Sequence, residues 1–460
     1  MCDIDEPVLT KRKSRAQTDP TLCWKCKTQK PVILVRHVLY CKTCFLYVYN
    51  GKFRANMTKS PAIQSRRQAR AILAFSGGPS SLSMIHLMYT RYRLGMPDPK
   101  RQYFADMKVC YIEESMILSN GENEGTIEKV EQVVKKHTDF EFLGVRLEDI
   151  FQPHYTRNGG FERIMATLEI DPSIQRELGV LKMQLGEDPR SPSEMLQSLI
   201  KAVSKLTSKE DIIRHLRMNL LLEIARREGC SFIFLGDSAS RLAIKIIALT
   251  SKGRGFSLPI DTAGESSWFG DITIMRPMKD ANSKEIAMYN KFNGLDPVAI
   301  PNLSTYAPAK ASIDRLTEDF IVGLDKDFPS TVSTIARTGA KLTANQAIDP
   351  NQRCVICQMP VQQNIQEWQE RIITLHPPST EDTLAPSSTS TCADTSNHFD
   401  LTGHLCYSCR TNLRDIRVNT PVTFPPYVAE GIKASDNSKE NTEENLRKQI
   451  ENFLINDEEH

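Results

Sequence analysis

ILAFSGGPSSLSMIHLM, residues 72–88, sets an apolar run, a glycine turn and a helix start end to end. AILAF at 71–75 reads as a buried strand. Pro79 suits a first helical position, Leu82, Ile85, Tyr89 and Tyr92 fall on one helical face, and Gly95 suits the stop. Between strand and helix, Ser76-Gly77-Gly78 would point backbone N–H groups and a helix N-terminus at a bound anion. Glycine permits both the positive-φ turn and a close approach of backbone to phosphate. A plain glycine turn gives the same short pattern, and no acidic residue stands in it.

Outward from this motif, short apolar runs alternate with helical patterns, which predicts an α/β fold with a parallel sheet and crossover helices. MKVCYI at 107–112, FEFLGVRL at 140–147, CSFIFLG at 230–236 and DITIMRPM at 271–278 read as further strands. DIIRHLRMNLLLEIARRE, 211–228, reads as a helix with Ile212, Leu216, Leu220 and Ile224 as its apolar stripe. His215 in it reads as a surface or partly buried side chain rather than a ligand. The polar stretch from about 155 to 207, broken by DPS and EDPRSPS, reads as an insertion with one or two helices.

At 460 residues the chain is long enough for two or three domains. It has 40% apolar residues and no apolar run of the length a membrane span needs, so a soluble protein is expected. The first residues, MCDIDEPVLTKRKSR, lack an apolar stretch, so no secretory signal is expected; KRKSR at 11–15 also passes for a nuclear signal. The formal net charge of +2 hides a strong polarity. Residues 1–70 carry 15 Lys/Arg against 4 Asp/Glu, and the remainder of the chain is net negative. A basic end of this kind matches a phosphate backbone, although a solvated arm has the same composition.

Eight of the twelve cysteines form C-x-x-C pairs: Cys23 with Cys26, Cys41 with Cys44, Cys354 with Cys357, and Cys406 with Cys409. The first two pairs stand 14 residues apart, near the spacing of a two-knuckle zinc ribbon. Four thiolates leave no coordination position for water, so structural rather than catalytic zinc is expected. The second two pairs stand 48 residues apart around PPSTEDTLAPSSTSTCADTSN, 377–397, whose Ser/Thr/Pro content predicts a disordered excursion from a ribbon. Cys392, His398 and His404 are alternative ligands that a four-cysteine set does not need. Cys110 and Cys230 read as small apolar residues in or beside strands, and Cys2 is isolated. The expected organisation is a basic four-cysteine zinc module at 1–60, an α/β domain at 61–345, a four-cysteine zinc ribbon at 346–428 and an acidic tail at 429–460 in which Leu446, Ile450, Phe453 and Leu454 have helical spacing.

The turn resembles the S-G-G-x-D-S phosphate loop (PP-loop) of N-type ATP pyrophosphatases, an adenine nucleotide alpha hydrolase-like fold. CWKCKTQKPVILVRHVLYCKTCFLYVYNGKFRANM followed by LAFSGGPSS, together with MRPMKDANSKEIAMYN at 275–290, resembles the cytoplasmic tRNA 2-thiolation protein 2 family over nearly the whole chain. Ser76, Gly77, Gly78 and Ser81 fit the loop pattern, but Ser80 stands where active pyrophosphatases have Asp. Active thiolases carry a C-x-x-C-G element before the central helix, where this chain reads TSKEDIIRHLR, and two acids after the next strand, where GDSASR places Ser240 and Arg241. Glu113 and Glu114, just after the second strand, could touch a nucleotide ribose, but exposed acids at a strand end are the commoner reading.

The resemblance implies a subunit needed for 2-thiolation of the wobble uridine (5-methoxycarbonylmethyl-2-thiouridine) of cytoplasmic tRNA Lys, Glu and Gln. It would act beside a catalytic paralogue that receives sulfur from a thiocarboxylated ubiquitin-related modifier. The departures favour a chain without catalysis of its own, with ATP and magnesium left open as ligands. Lys25, Lys27, Lys30, Arg36, Lys42, Lys52, Arg54, Arg66, Arg67 and Arg70 are the candidate tRNA phosphate contacts. Two alternatives remain: an active ATP-dependent tRNA sulfurtransferase or nucleotidyltransferase using Ser80 and Ser81, and a zinc-stabilised interaction scaffold that binds no RNA.

Overall fold

A computed structural model of the chain describes residues 21–35, 38–93, 103–118, 125–152, 165–168, 182–186, 188–305, 307–308, 310–344, 348–365, 398–417 and 420–434. The N-terminal part holds a hairpin, β1 (Ile33–Val35) and β2 (Val38–Tyr40), then helices α1 (Lys42–Thr58) and α2 (Pro61–Ser65). The opening motif becomes β3 (Ala69–Phe75) and α3 (Pro79–Tyr92), with Pro79 in the first turn as its fixed φ favours. The chain at Arg93 is already extended, and Gly95 lies outside the described residues.

β4 (Phe104–Glu113), α4 (Thr126–His137) and β5 (Glu141–Arg146) continue the alternation. The stretch expected to be a helical insertion holds two strands, β6 (Met165–Leu168) and β7 (Lys182–Gly186), before α5 (Pro192–Ala202). Then come α6 (Leu206–Arg227), β8 (Phe232–Phe234), α7 (Ala239–Ser251), α8 (Leu258–Thr262), β9 (Glu265–Ser266), β10 (Thr273–Met275), α9 (Ser283–Asn293), α10 (Ile313–Asp327) and α11 (Pro329–Gly339). β11 (His398–Asp400), α12 (Tyr407–Leu413) and β12 (Val422–Phe424) complete the elements.

The main sheet has the order β5-β4-β3-β8-β10-β9, parallel throughout except for β9 at one edge. Strands were added to one side of β3 and then to the other, so the order reverses between β3 and β8. At such a reversal the loops leaving the carboxyl ends part and open a crevice. Gly77 follows β3 and Gly236 follows β8, which places the glycine turn at that point.

Alternation along the strands divides the core between two faces. Ile72, Cys110, Ile233 and Ile274 face α5, α6 and the second cysteine cluster, whereas Leu73, Val109, Phe232, Phe234 and Met275 face α1, α3, α4 and α9. A second, antiparallel sheet of order β11-β7-β6-β12 joins β6 and β7 to the C-terminal strands. Residues 11–15, Arg36, Cys2, Cys392, 377–397 and 435–460 lie outside the described residues.

Candidate nucleotide loop and metal centres

Gly77 has φ of +77°, the conformation for which glycine is the natural residue. The turn is closed by its own chain. Val298 N donates to the Gly77 carbonyl at 3.0 Å, and a side-chain Cβ at Gly77 would lie 2.5 Å from Ile300 Cδ1 and 3.2 Å from the Val298 carbonyl. The hydroxyls also turn inward. Ser80 Oγ donates to the Gly236 carbonyl at 2.6 Å, and Ser81 Oγ donates to the Gly78 carbonyl at 3.0 Å. The backbones of the turn and of residue 236 pack so closely that a Cβ at Gly236 would sit 2.8 Å from Ser81 Cα.

Asp237 is the one acid of GDSASR, and two cations hold it: Lys245 at 2.7 Å and Arg276 at 3.0 Å. Burial opposes its charge, but Lys245 and Arg276 outweigh burial and keep the carboxyl well below the usual carboxylate range. Arg276, from the Arg-Pro-Met stretch, is itself buried and also donates to the Ala263 carbonyl. Ser240 Oγ accepts from Ser283 N at 3.4 Å, and Arg241 is exposed and faces Glu318 at 3.5 Å. Glu114 pairs with Arg217, and Glu113 lies 3.6 Å from Arg146. Each polar side chain that the sequence aligns with a nucleotide site therefore meets a group of the chain itself. A cavity of about 440 Å³ lined by Arg93, Asp106, Asp139 and Glu141 lies at the amino ends of β4 and β5, the opposite edge of the sheet from the glycine turn.

Two cysteine clusters form among the described residues: Cys23, Cys26, Cys41 and Cys44, and Cys354, Cys357, Cys406 and Cys409, with the sulfur atoms of each set within 4.8 Å of one another. Tetrahedral zinc with bonds of about 2.3 Å places its sulfurs about 3.8 Å apart. Cys26 and Cys41 stand at 3.9 Å and Cys357 and Cys406 at 3.6 Å, far beyond a disulfide bond. Both sets fit a four-thiolate metal site, and His404 belongs to neither. Cys110 and Cys230 stand apart from both clusters; burial pushes their thiols up to about 12 and about 11, which removes the thiolate that sulfur chemistry needs.

The two clusters are built differently. Cys41 caps α1, which runs antiparallel to α9: Phe45 meets Phe292 at 5.8 Å, Tyr49 stacks on Tyr289 at 4.6 Å, Lys52 reaches Glu285 at 2.5 Å, and Asn56 bonds Asp280 at 3.0 Å. The second cluster is buried at all four cysteines and shares the core of the sheet. α6 supports it with a polar stripe of spacing four, Asp211, His215, Asn219 and Glu223, all buried. Asn219 donates to the Ile356 carbonyl, and Arg254 donates to Cys409 Sγ at 3.4 Å while contacting His215 Nε2 at 2.5 Å. The expectation of a surface or partly buried His215 is corrected: it is buried, and desolvation beside Arg254 holds it neutral.

Of the candidate phosphate contacts, Lys25, Lys27, Lys30, Lys42, Arg54, Arg67 and Arg70 are exposed. Lys52 is not free for RNA, because it neutralises the buried Glu285. Arg66 is half-buried and donates to the Gly270 and Asp271 carbonyls. Arg70 lies at the amino end of β3, across the sheet from the glycine turn. Among the described residues no helix is long and apolar enough to cross a membrane.

A family model described as cytoplasmic tRNA 2-thiolation protein 2 matches residues 312–411. Curated relatives of that name match far more of the chain. The Xenopus tropicalis protein is 30% identical over 100% of this chain and 99% of its own length. The human protein is 30% identical over 92% of this chain and 91% of its own. Among solved structures, the U34-tRNA thiolase NcsA of Methanococcus maripaludis, with its iron–sulfur cluster, superposes with a TM-score of 0.48 at 15% identity, covering 72% of this chain and 92% of that one.

Proposed function

Because the chain belongs to the cytoplasmic tRNA 2-thiolation protein 2 family, and its role therefore lies in cytoplasmic tRNA 2-thiolation, we propose that it serves there as a tRNA-binding subunit without catalysis of its own. One observation carries the reading. At the reversal point of the sheet, the loop hydroxyls bond the chain's own backbone and the one acid, Asp237, is neutralised by Lys245 and Arg276. Adenylation of a uridine needs a magnesium–triphosphate complex, which carboxylates hold directly or through water. An Asp already paired with two cations is a poor donor to a third.

In this reading an intact paralogue adenylates the wobble uridine of tRNA Lys, Glu and Gln, and a thiocarboxylated ubiquitin-related modifier supplies the sulfur. The present chain contributes phosphate contacts through Lys25, Lys27, Lys30, Lys42 and Arg54, and acts in the cytoplasm for which its family is named. Zinc is the metal the two four-cysteine sets would hold, and its part is to fix the loops that carry them.

The test compares the purified chain, the paralogue and their complex for ATP-to-AMP turnover and sulfur incorporation into tRNA, with Ser80→Ala and Gly78→Ala as loop variants. Both substitutions fit the space available, since a Cβ at Gly78 meets only Ser76 Oγ at 3.5 Å. A silent isolated chain, and a complex that stays active with either variant, support the reading. Turnover by the isolated chain, or a folded but inactive variant complex, refutes it in favour of an active enzyme.

A further inference from the structure

The large apolar side chains left exposed among the described residues fall into two groups: Trp24, Val32, Leu34 and Tyr47 on the first four-cysteine module, and Leu316, Phe320, Val322, Phe328 and Leu342 around α10 and α11. Their charge differs in sign. Residues 21–59 contain eight Lys/Arg and no Asp or Glu, whereas α10, IDRLTEDFIVGLDKD, carries five acids against two bases. An exposed apolar surface in an acid-free field is suited to a polyanion that also has flat apolar faces, which describes a single-stranded nucleic acid. The acidic group around α10 repels the same ligand.

The first group also has the right side chains. Trp24 is 51% and Tyr47 65% exposed. Trp24 is braced edge-on against Tyr40 at 6.4 Å, and the Lys25 ammonium lies 3.3 Å from the Tyr47 ring centroid. The cysteine turn carrying Trp24 and Lys25 thereby contacts the helix carrying Tyr47, which places both aromatic side chains on one module. We propose that Trp24 and Tyr47 form a stacking seat for unpaired bases of RNA, with Lys25, Lys27 and Lys30 on the adjoining phosphates. This rests on the reading that the module binds tRNA and narrows it to an unpaired segment, because bases inside a duplex present no face to stack upon.

Fluorescence anisotropy of the full metal-loaded chain tests it, against a labelled anticodon stem-loop and a blunt RNA duplex of equal length, over a salt series. Trp24→Ala and Tyr47→Ala are expected to weaken stem-loop binding about 5- to 100-fold each while leaving duplex binding and the salt slope unchanged. Trp24→Leu keeps apolar packing against Tyr40 without a stacking plane and behaves as the alanine variant; Trp24→Phe retains most of the affinity. Lys27→Ala weakens both RNAs and lowers the slope by about one. Full stem-loop affinity in the folded aromatic variants, with the salt slope intact, overturns the seat and leaves tRNA binding standing. A wild-type chain that binds neither RNA in a salt-dependent way overturns both. Aromatic variants that bind RNA normally but lose the catalytic subunit identify a protein interface instead, and overturn the seat.

Discussion

Asp211 has no surface open to solvent, yet it stays ionised because Lys252 at 2.8 Å and Arg214 at 3.1 Å offset the penalty of burying its charge. Asn412, beside the second cluster, donates to the same carboxylate at 3.3 Å. Removing one member of such a group leaves buried charges without their counter-ion, so Asp211→Ala is expected to cost about 3–5 kcal/mol in urea unfolding. Two glycines give a paired test at the turn. Gly236→Ala drives a methyl onto the Ser81 backbone, 2.8 Å from its Cα, and is expected to cost about 1–3 kcal/mol. Gly78→Ala meets only ordinary contact distance and should stay within about 1 kcal/mol of wild type. Equal melting temperatures for the two variants would contradict the packing described.

At the scale of elements, α6 shows what sequence patterns reveal and what they hide. Its apolar stripe, Ile212, Leu216, Leu220 and Ile224, was legible from spacing alone. Of the polar stripe one position earlier only His215 was singled out, as a surface or partly buried side chain, and the whole stripe is buried: Asn219 meets the Ile356 carbonyl 137 residues downstream and Asp211 meets Asn412 201 residues downstream. The strands β6 and β7 were hidden for the same reason: their neighbours β11 and β12 come from beyond residue 397. Local periodicity carries no record of such distant pairing. The parallel sheet, by contrast, follows from apolar runs each long enough to mark a buried strand.

Where α6 meets the start of α10, burial pushes the Glu210 carboxyl up to about 7, with Ser312, Asp314 and Lys252 facing it. The folded chain thus favours the protonated form, while the unfolded chain releases the proton near 4.5. The contribution of this side chain is complete below the unfolded value and is lost as pH rises to about 7. Glu210→Gln is therefore expected to raise the melting temperature relative to wild type at about pH 8, by a stability gain on the order of 1 kcal/mol, with little difference at about pH 4.5. A difference independent of pH would show that titration is not the cause.

For the whole molecule, the decisive contrast lies between a four-cysteine set at the periphery and one inside the core. Cys26 and Cys44 are half-buried, whereas all four cysteines of the second set are buried. A chelator is expected to strip the first site while far-ultraviolet circular dichroism keeps most of its signal, and to reach the second only with global unfolding. Cys23→Ser should accordingly lose one metal equivalent and tRNA affinity, and Cys354→Ser should fail to accumulate as folded protein. The cysteine spacing made the grouping of both cysteine sets readable in sequence. That one of them is part of the main core was not, since C-x-x-C pairs report ligands and not what surrounds them.

The contact of Val298 and Ile300 with Gly77 ties the turn to a segment more than two hundred residues downstream. An acid introduced at Ser80 would forfeit the bond to the Gly236 carbonyl. Use of Asp237 as a metal ligand would require it to part from Lys245 and Arg276, and movement of the turn would break the Val298–Gly77 bond. Nucleotide binding at this turn would therefore be coupled to rearrangement of three separate parts of the chain, the Ser80 bond, the 298–300 segment and the Asp237 ion pairs.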